Sequence, residues 1–448
     1  MLVQFAVENF MSFRDKAVFS LRALEGAPAS PAYVDSHGLR LLRCAAIYGA
    51  NASGKSNLVR ALTFCHQLVL TGTKSNEKIA VKPFRLDPES TRGPSQFEFE
   101  LLLSGAIYSY GFRIDAETVQ EEWLFRTATG RDEELVFERR FESANPERAA
   151  FEFGSALSTD ASRLQFVGFV GEGTRRNQLF LHEAVERNVV ELEPVLKWFR
   201  GSLKLIEPDS PYDSLVQRVH EEPGFRVFLG SYLASADTGI AGLTTMKSEV
   251  PPQPGMGIET LEILALGLIG LQGRVTSAER TVTREEGKLM ALNLRTQHRD
   301  SHGQEVQFAV DEESDGTRRL MHLAPSLHPV EQAARTSVID ELDRSLHPLL
   351  TRKFVRDFLS ANPQSQEQLI FTTHDTNLLS RDLLPAEAVW FVEKDPTGCS
   401  HLYSLAEFDP AQLEQLGDSL EAGYLSGRFG AIPFFADRKK LGWTPGES

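Results

Sequence analysis

Residues 1–23 alternate between apolar and polar positions: Leu2, Val3, Phe5 and Val7 are followed by Phe13 and then by Val18, Phe19 and Leu21. Alternate side chains of a strand point to opposite faces, so the pattern predicts two short strands joined by Asn9-Phe10-Met11-Ser12-Phe13-Arg14-Asp15. The run Cys44-Ala45-Ala46-Ile47-Tyr48 is continuously apolar and predicts a buried strand. Asn57-Leu58-Val59-Arg60-Ala61-Leu62 opens a helix expected to reach about Leu70. Phe97-Glu98-Phe99-Glu100-Leu101 and the segment from Ile107 to Ile114 predict a hairpin, with weaker strand signals at Leu135-Val136-Phe137 and Phe151-Glu152-Phe153.

From about Asn177 to Leu292 the apolar spacing turns helical, with Leu181, Val185, Val189, Leu192, Val195, Leu196 and Phe199 at three- and four-residue steps. Pro208, Pro211, Pro223, Pro251, Pro252 and Pro254 punctuate this stretch, which reads as an insertion of several helices. Within it the apolar run from Ile263 to Leu271 is too short to cross a bilayer and reads as a buried helix. The runs at Val306–Val310, Ser337–Asp340, Gln368–Thr372 and Ala388–Val392 alternate with helical patterns, as in a parallel α/β sheet.

The chemistry begins between the buried strand and the first helix. Gly49-Ala50-Asn51-Ala52-Ser53-Gly54-Lys55-Ser56 is a complete G-x-x-x-x-G-K-S loop in the strand–loop–helix context that the motif requires. Its glycines let backbone N–H groups approach a triphosphate closely, with Gly49, Asn51, Ser53, Gly54 and Asn57 around it. Lys55 reaches the β- and γ-phosphates, and Ser56 ligates Mg²⁺. ATP and Mg²⁺ are therefore the expected cofactors. An apolar strand further on ends in Asp340-Glu341, where Asp340 holds the metal through its water shell and Glu341 orients and deprotonates the attacking water. After the next strand comes Thr372-Thr373-His374-Asp375, which places His374 at a strand tip within reach of the γ-phosphate.

Composition narrows the setting. A formal net charge of -15 excludes coating of nucleic acid by bulk attraction, so a DNA contact needs a local basic patch or a partner. Arg428 and Arg438-Lys439-Lys440 are the basic groups near the end of the chain, and a solvated tail is at least as good a reading of them. Cys44, Cys65 and Cys399 are odd in number and lack C-x-x-C spacing, which argues against a disulfide framework and a structural zinc site and fits a cytoplasmic location. No basic region precedes the first apolar residues and Glu8 interrupts them, so no signal peptide is expected; neither is a membrane segment. His298 and His302 fall in a polar stretch read as a loop, and Glu393 and Asp395 read as solvated surface.

The ordered set of glycine loop, Asp340-Glu341 and His374 resembles the ATPase heads of the ABC/SMC superfamily. The resemblance implies an α/β fold: a P-loop head with a mixed sheet lobe and a parallel α/β lobe, interrupted by a helical insertion. On it the head spans 1–175 and 293–410, the insertion 176–292, and a tail 411–448. It also implies a signature loop at Glu313-Ser314-Asp315-Gly316-Thr317, which contacts the γ-phosphate bound by the opposite subunit of a homodimer or higher homo-oligomer. The loop departs from the usual L-S-G-G-Q form, and a plain helix cap at Ser314 or Thr317 is the competing reading. Asn9-Phe10-Met11-Ser12-Phe13-Arg14 resembles the N-F-x-S-F opening of SMC-type heads, which makes Phe13 and Arg14 the residues to line the adenine; Gln96 is the one glutamine considered for a Q-loop.

Longer phrases narrow the likeness. Glu312-Glu313-Ser314-Asp315-Gly316-Thr317-Arg318-Arg319-Leu320, Asp340 to Pro348, Asp237-Thr238-Gly239-Ile240 and Tyr424 to Pro433 resemble the AAA15/AAA21-type ATP-binding proteins, whose relatives include the RloA and AbiL types and the ATPases of the PARIS and Septu systems. That resemblance implies an ATP-hydrolysing sensor and scaffold in anti-phage defence. It would hold, release or activate a separately encoded nuclease or Toprim-type effector in answer to a phage protein or DNA. The chain after His374 is too short for a Toprim domain of its own. An SMC-like ATPase of DNA repair or chromosome maintenance is the alternative, against which the short, proline-broken insertion without heptads counts.

Overall fold

The structure, a computed structural model, describes residues 1–128, 130–141, 148–208, 210–212, 214–249, 274–276, 280–285, 288–328, 334–361, 363–415 and 420–432. They divide into two compact units, Met1–Leu205 with Gln332–Glu341 and Asn362–Ser448, and Ile206–Glu331 with Leu342–Ala361.

In the first unit β1 (Leu2–Glu8) and β2 (Ala17–Ser20) pair antiparallel across the Asn9–Asp15 loop, as their alternation predicts. A hairpin of β3 (Tyr33–Ser36) and β4 (Leu39–Leu42) leads to β5 (Cys44–Tyr48), which is buried along its length. The helix Lys55–Thr71 follows and buries Leu58, Val59, Ala61, Leu62, Cys65, Leu68 and Val69, the stripe of a 3.6-residue period. Next come β6 (Ser95–Leu103), β7 (Ala106–Ile114), β8 (Val119–Ala128), β9 (Glu133–Phe141) and β10 (Ala149–Phe153). They extend β1 and β2 into a seven-stranded antiparallel sheet of order β10-β9-β8-β7-β6-β1-β2. Phe97 and Phe99 of β6 point into the core, and Phe97 meets Phe10 and Phe64 at ring separations of 5.3 Å each. Aromatic pairs of this kind add about 0.5–1.5 kcal/mol to the burial of each ring, so the Asn9–Asp15 loop is anchored through Phe10 to the first helix and the sheet together.

The second sheet carries the site. With β11 (Leu203–Ile206), β17 (Thr336–Ile339), β18 (Gln368–Thr372), β19 (Val389–Lys394) and β20 (Ser400–Ser404), its order is β11-β17-β18-β5-β19-β20. The neighbours β17, β18, β5 and β19 run parallel, so their carboxyl ends lie at one edge, while β20 returns antiparallel.

The second unit differs from the expected all-helical insertion. Helices Leu215–Glu221 and Pro223–Ser235 are present, but between Gly242 and Ala309 the described elements are strands. There β12 (Gly242–Glu249), β13 (Arg274–Thr276), β14 (Arg280–Glu285), β15 (Lys288–Arg299) and β16 (Glu305–Ala309) form an antiparallel sheet, order β12-β15-β14-β13 with β16 on β15. The physical reason is a period of two: Leu292, Leu294 and Thr296 fall on one face of β15, and the β-branched threonines of β12 favour extended backbone. The run at Val306–Val310 thus belongs to this antiparallel sheet and not to the parallel one, and His298 lies on β15 rather than in a loop. Leu229, Leu233, Leu243 and Leu294 pack there with Leu320 and Met321 of the helix Asp315–Leu323. The apolar run Ile263–Leu271 and the Arg438–Lys440 cluster lie outside the described residues.

Candidate functional site

The glycine loop leaves the end of β5 beside β18 and β19. Two positions in it admit only glycine. A Cβ on Gly49 would stand 2.3 Å from the Val392 carbonyl oxygen, and one on Gly54 would stand 2.3 Å from Ser400 Oγ and 2.8 Å from Ser12 Oγ. Both have positive φ, 156° and 122°, so L side chains are excluded twice over. Lys55, buried by the loop, donates from Nζ to the carbonyls of Gly49 (2.8 Å) and Ala50 (3.1 Å).

The loop fits a phosphate. No side chain caps the helix Lys55–Thr71 and its first turn holds no acidic residue, so its positive dipole end is left for an anion. Ser53 Oγ is buried beside Gly49 without a hydrogen-bond partner among the described residues. A buried hydroxyl without a partner costs about 1–3 kcal/mol, which a phosphate oxygen within its reach would recover.

The acidic half stands two strands away. Strand β17 is buried throughout and delivers Asp340 and Glu341 to the carboxyl edge. Thr372, at the end of β18, joins them: its hydroxyl donates to Asp340 Oδ1 at 2.5 Å and accepts from the Glu341 backbone N–H at 2.8 Å. Glu341 adopts a left-handed φ of 51°, a conformation that costs a residue with a Cβ about 1–2 kcal/mol. Its carboxylate is therefore placed by a backbone that the Thr372 hydrogen bond fixes. One residue beyond the last tie between β18 and β5, the Thr373 N–H to the Ile47 carbonyl (3.1 Å), His374 is exposed at the same edge. Asp375 behind it donates its N–H to Thr373 Oγ1 (2.9 Å) and accepts from Asn377. Gly49–Ser56, Asp340, Glu341 and His374 thus converge on the carboxyl edge of adjoining parallel strands, where ligands of open α/β sheets collect.

Several proposed ligand residues have other occupations. Asn57 donates its amide to Ser12 Oγ (2.7 Å), which ties the helix to the Asn9–Asp15 loop. Ser12 Oγ also meets Ser400 Oγ (2.8 Å), and Ser400 Oγ donates to the Ser53 carbonyl. Ser12, the serine of the N-F-x-S-F segment, and Ser400 are the braces of the glycine loop. Asn51 is exposed at the loop's turn, and Ser56 is the second residue of the helix. Phe13 is fully buried and closes a bridge with Phe10, so it presents no ring to an adenine; its role is to hold the loop. Arg14 is half-exposed, its guanidinium forked onto both oxygens of Asp15 at 3.0 and 2.9 Å. Gln96, on β6, donates to Glu98.

The signature segment lies in the second unit. Ser314 caps the helix Asp315–Leu323, its Oγ accepting from the Thr317 N–H at 3.2 Å. Glu313 accepts from Thr296 Oγ1 (2.5 Å) and pairs with His298 Nε2 (2.7 Å), which pins it to β15. Asp315 pairs with Arg318, and a Cβ on Gly316 would stand 2.7 Å from the Ser345 carbonyl.

Residues 44–380 match a family model described as "AAA domain, putative AbiEii toxin, Type IV TA system". Among solved structures the chain is similar to the SMC head domain from Thermotoga maritima (13% identity, TM-score 0.37, covering 90% of this chain and 98% of that one). It is also similar to an SmcHead bound to the C-winged helix domain of ScpA (14%, 0.40, 92% and 99%). A third is the recombination mediator protein RecF bound to ATP (12%, 0.31, 90% and 97%). No curated protein matches. Among the described residues no helix is long and apolar enough to cross a membrane.

Proposed function

The chain belongs to that AAA domain family, a family of P-loop ATPases, and from this premise we propose that it hydrolyses ATP and uses the bound nucleotide to govern a defence complex. The observation that carries the reading is the convergence of Lys55, Asp340, Glu341 and His374 at one sheet edge, with Ser53 Oγ buried and unpartnered beside the loop.

In this mechanism the loop N–H groups and the helix Lys55–Thr71 receive the phosphates, and Lys55 exchanges the Gly49 and Ala50 carbonyls for the β- and γ-phosphates. Mg²⁺, held by Ser56 and Asp340, would neutralise charge on the β- and γ-oxygens. Glu341 takes the proton of the attacking water, and His374 reads the γ-phosphate. Ser314 and Gly316 of a second copy close over the γ-phosphate, so that occupancy is read as association of two or more copies. The family description names a toxin of a toxin–antitoxin system, which supports a role in a system of that kind; the partner in this reading is a separately encoded effector, a nuclease of Toprim type. A phage protein or DNA would be the trigger. Three free, buried cysteines agree with a cytoplasmic setting.

The Glu341→Gln variant tests this reading. It is expected to bind ATP within a few-fold of wild type, to turn over about 10²–10⁴-fold more slowly, and to accumulate as an ATP-dependent oligomer in sedimentation. That oligomer is expected to co-purify with the product of the neighbouring gene. Turnover equal to wild type would remove Glu341 from the reaction, and a monomer at saturating ATP would remove the association.

A further inference from the structure

The three cysteines lack C-x-x-C spacing, which argues against a structural zinc site, and Cys399-Ser400-His401 alone supplies only two ligands. The fold supplies the missing ligand from the other end of the chain. Asp15, Cys399 and His401 each present a ligand atom, and these three atoms lie within 4.8 Å of one another. Cys399 Sγ is 3.8 Å from Asp15 Oδ2. Two ligands of a tetrahedral zinc, one sulfur and one oxygen, stand about 3.5 Å apart given the usual bond lengths, so this pair needs to approach by a few tenths of an ångström, and the imidazole closes in by turning about its side-chain bonds.

We propose that Asp15, Cys399 and His401 form a binding site for a borderline-soft divalent cation of the zinc class. A thiolate, an imidazole and a carboxylate select Zn²⁺ or Co²⁺ over Mg²⁺ and Ca²⁺, which take oxygen ligands. The surroundings are built for the task. Asp395 Oδ2 lies 3.1 Å from His401 Nε2 and holds the ring, while Asp395 Oδ1 accepts from the Thr397 N–H and hydroxyl and from the Cys399 N–H. One carboxylate therefore fixes both the turn before Cys399 and the imidazole after it, the supporting arrangement that metal-bound histidines use. Cys399 is buried, whereas Asp15 and His401 are open to solvent, which gives an ion a path in.

Arg14 now occupies both oxygens of Asp15. A divalent ion takes one of those oxygens, displaces half of the fork, and sets its own charge beside the Cys399 sulfur, which gives up its proton on binding. The ion would also join the Asn9–Asp15 loop to the β19–β20 hairpin at the place where Ser400 N donates to the Ser12 carbonyl at 2.7 Å. It acts as a clasp on the same two segments that brace Gly54.

The test is a Co²⁺ titration of the reduced, metal-stripped full chain, read by absorption and by proton release. The expected result is saturation near one equivalent with thiolate-to-cobalt charge transfer, release of about one proton from Cys399, and displacement by Zn²⁺ but not by Mg²⁺. The other thiols, Cys44 and Cys65, are fully buried with their pKa values raised by desolvation, so the band should vanish in Cys399→Ser. His401→Gln, at an exposed ring, is expected to weaken Co²⁺ binding more than about tenfold. No thiolate band, a band that persists in Cys399→Ser, or unchanged affinity in His401→Gln would each overturn the site.

Discussion

Thr372 does more for the acidic half of the site than its sequence context suggests. Its hydroxyl bonds both Asp340 Oδ1 and the Glu341 backbone N–H at the end of β18. Thr372→Val keeps the shape and removes both bonds. Each hydrogen bond removed is worth about 0.5–1.5 kcal/mol. A clear drop in Tm is expected, with turnover at saturating ATP lower by about tenfold for each 1.4 kcal/mol of lost placement; unchanged turnover would show that Glu341 is positioned without it. At this scale the shared sheet edge of Gly49, Gly54, Lys55, Asp340, Glu341 and His374 was legible because each belongs to a motif contiguous in sequence, while their roles belong to the proposed function. The ties made by Thr372, Ser12 and Ser400 were not legible, because a threonine ending a strand, or a serine in a loop, gains its meaning from partners up to 388 residues away. Phe13 was read as a ligand residue from a motif alone, whereas its burial assigns it to the core.

At the level of elements, alternation predicted β1, β2, β6 and β7 because one face of each is buried and the other faces outward. The helical reading, which ran to Leu292, failed at β12 and β15, where the chain is extended with a period of two. The helix Asp315–Leu323 illustrates how tertiary burial tunes an element that sequence locates well. Near its end His322 is largely buried, and its Nδ1 accepts from the Tyr212 N–H at 3.2 Å. Desolvation, with Arg319 and Arg318 nearby, lowers its pKa from 6.5 to about 4. The folded chain holds it neutral while the unfolded chain takes up a proton below its ordinary pKa. The stability it contributes is complete above about pH 6.5 and is lost as pH falls through about 4. His322→Gln keeps an acceptor for Tyr212 and carries no titration. Its Tm is expected to fall less than that of wild type between these pH values in thermal melts, and parallel curves for the two proteins would contradict the assignment.

On the scale of the whole molecule, the phosphate loop, both carboxylates and His374 belong to one compact unit, and Ser314, Gly316 and Ser345 to the other. Our account holds that ATP bound by the first unit of one copy is completed by the second unit of another. With a net charge of -15 the chain has no general attraction for nucleic acid. Ser314 is a helix cap as well as a proposed ligand, and the two roles separate in Ser314→Asp: aspartate caps as well as serine but sets a negative charge against a γ-phosphate. The most direct measurement is ATP turnover of Ser314→Asp and Lys55→Ala, alone and mixed. The account predicts two folded, inactive proteins that recover activity on mixing, up to about a quarter of wild type for a random two-fold dimer, since each mixed pair holds one intact site. Full activity of Ser314→Asp alone, or no recovery at any mixing ratio, would contradict it.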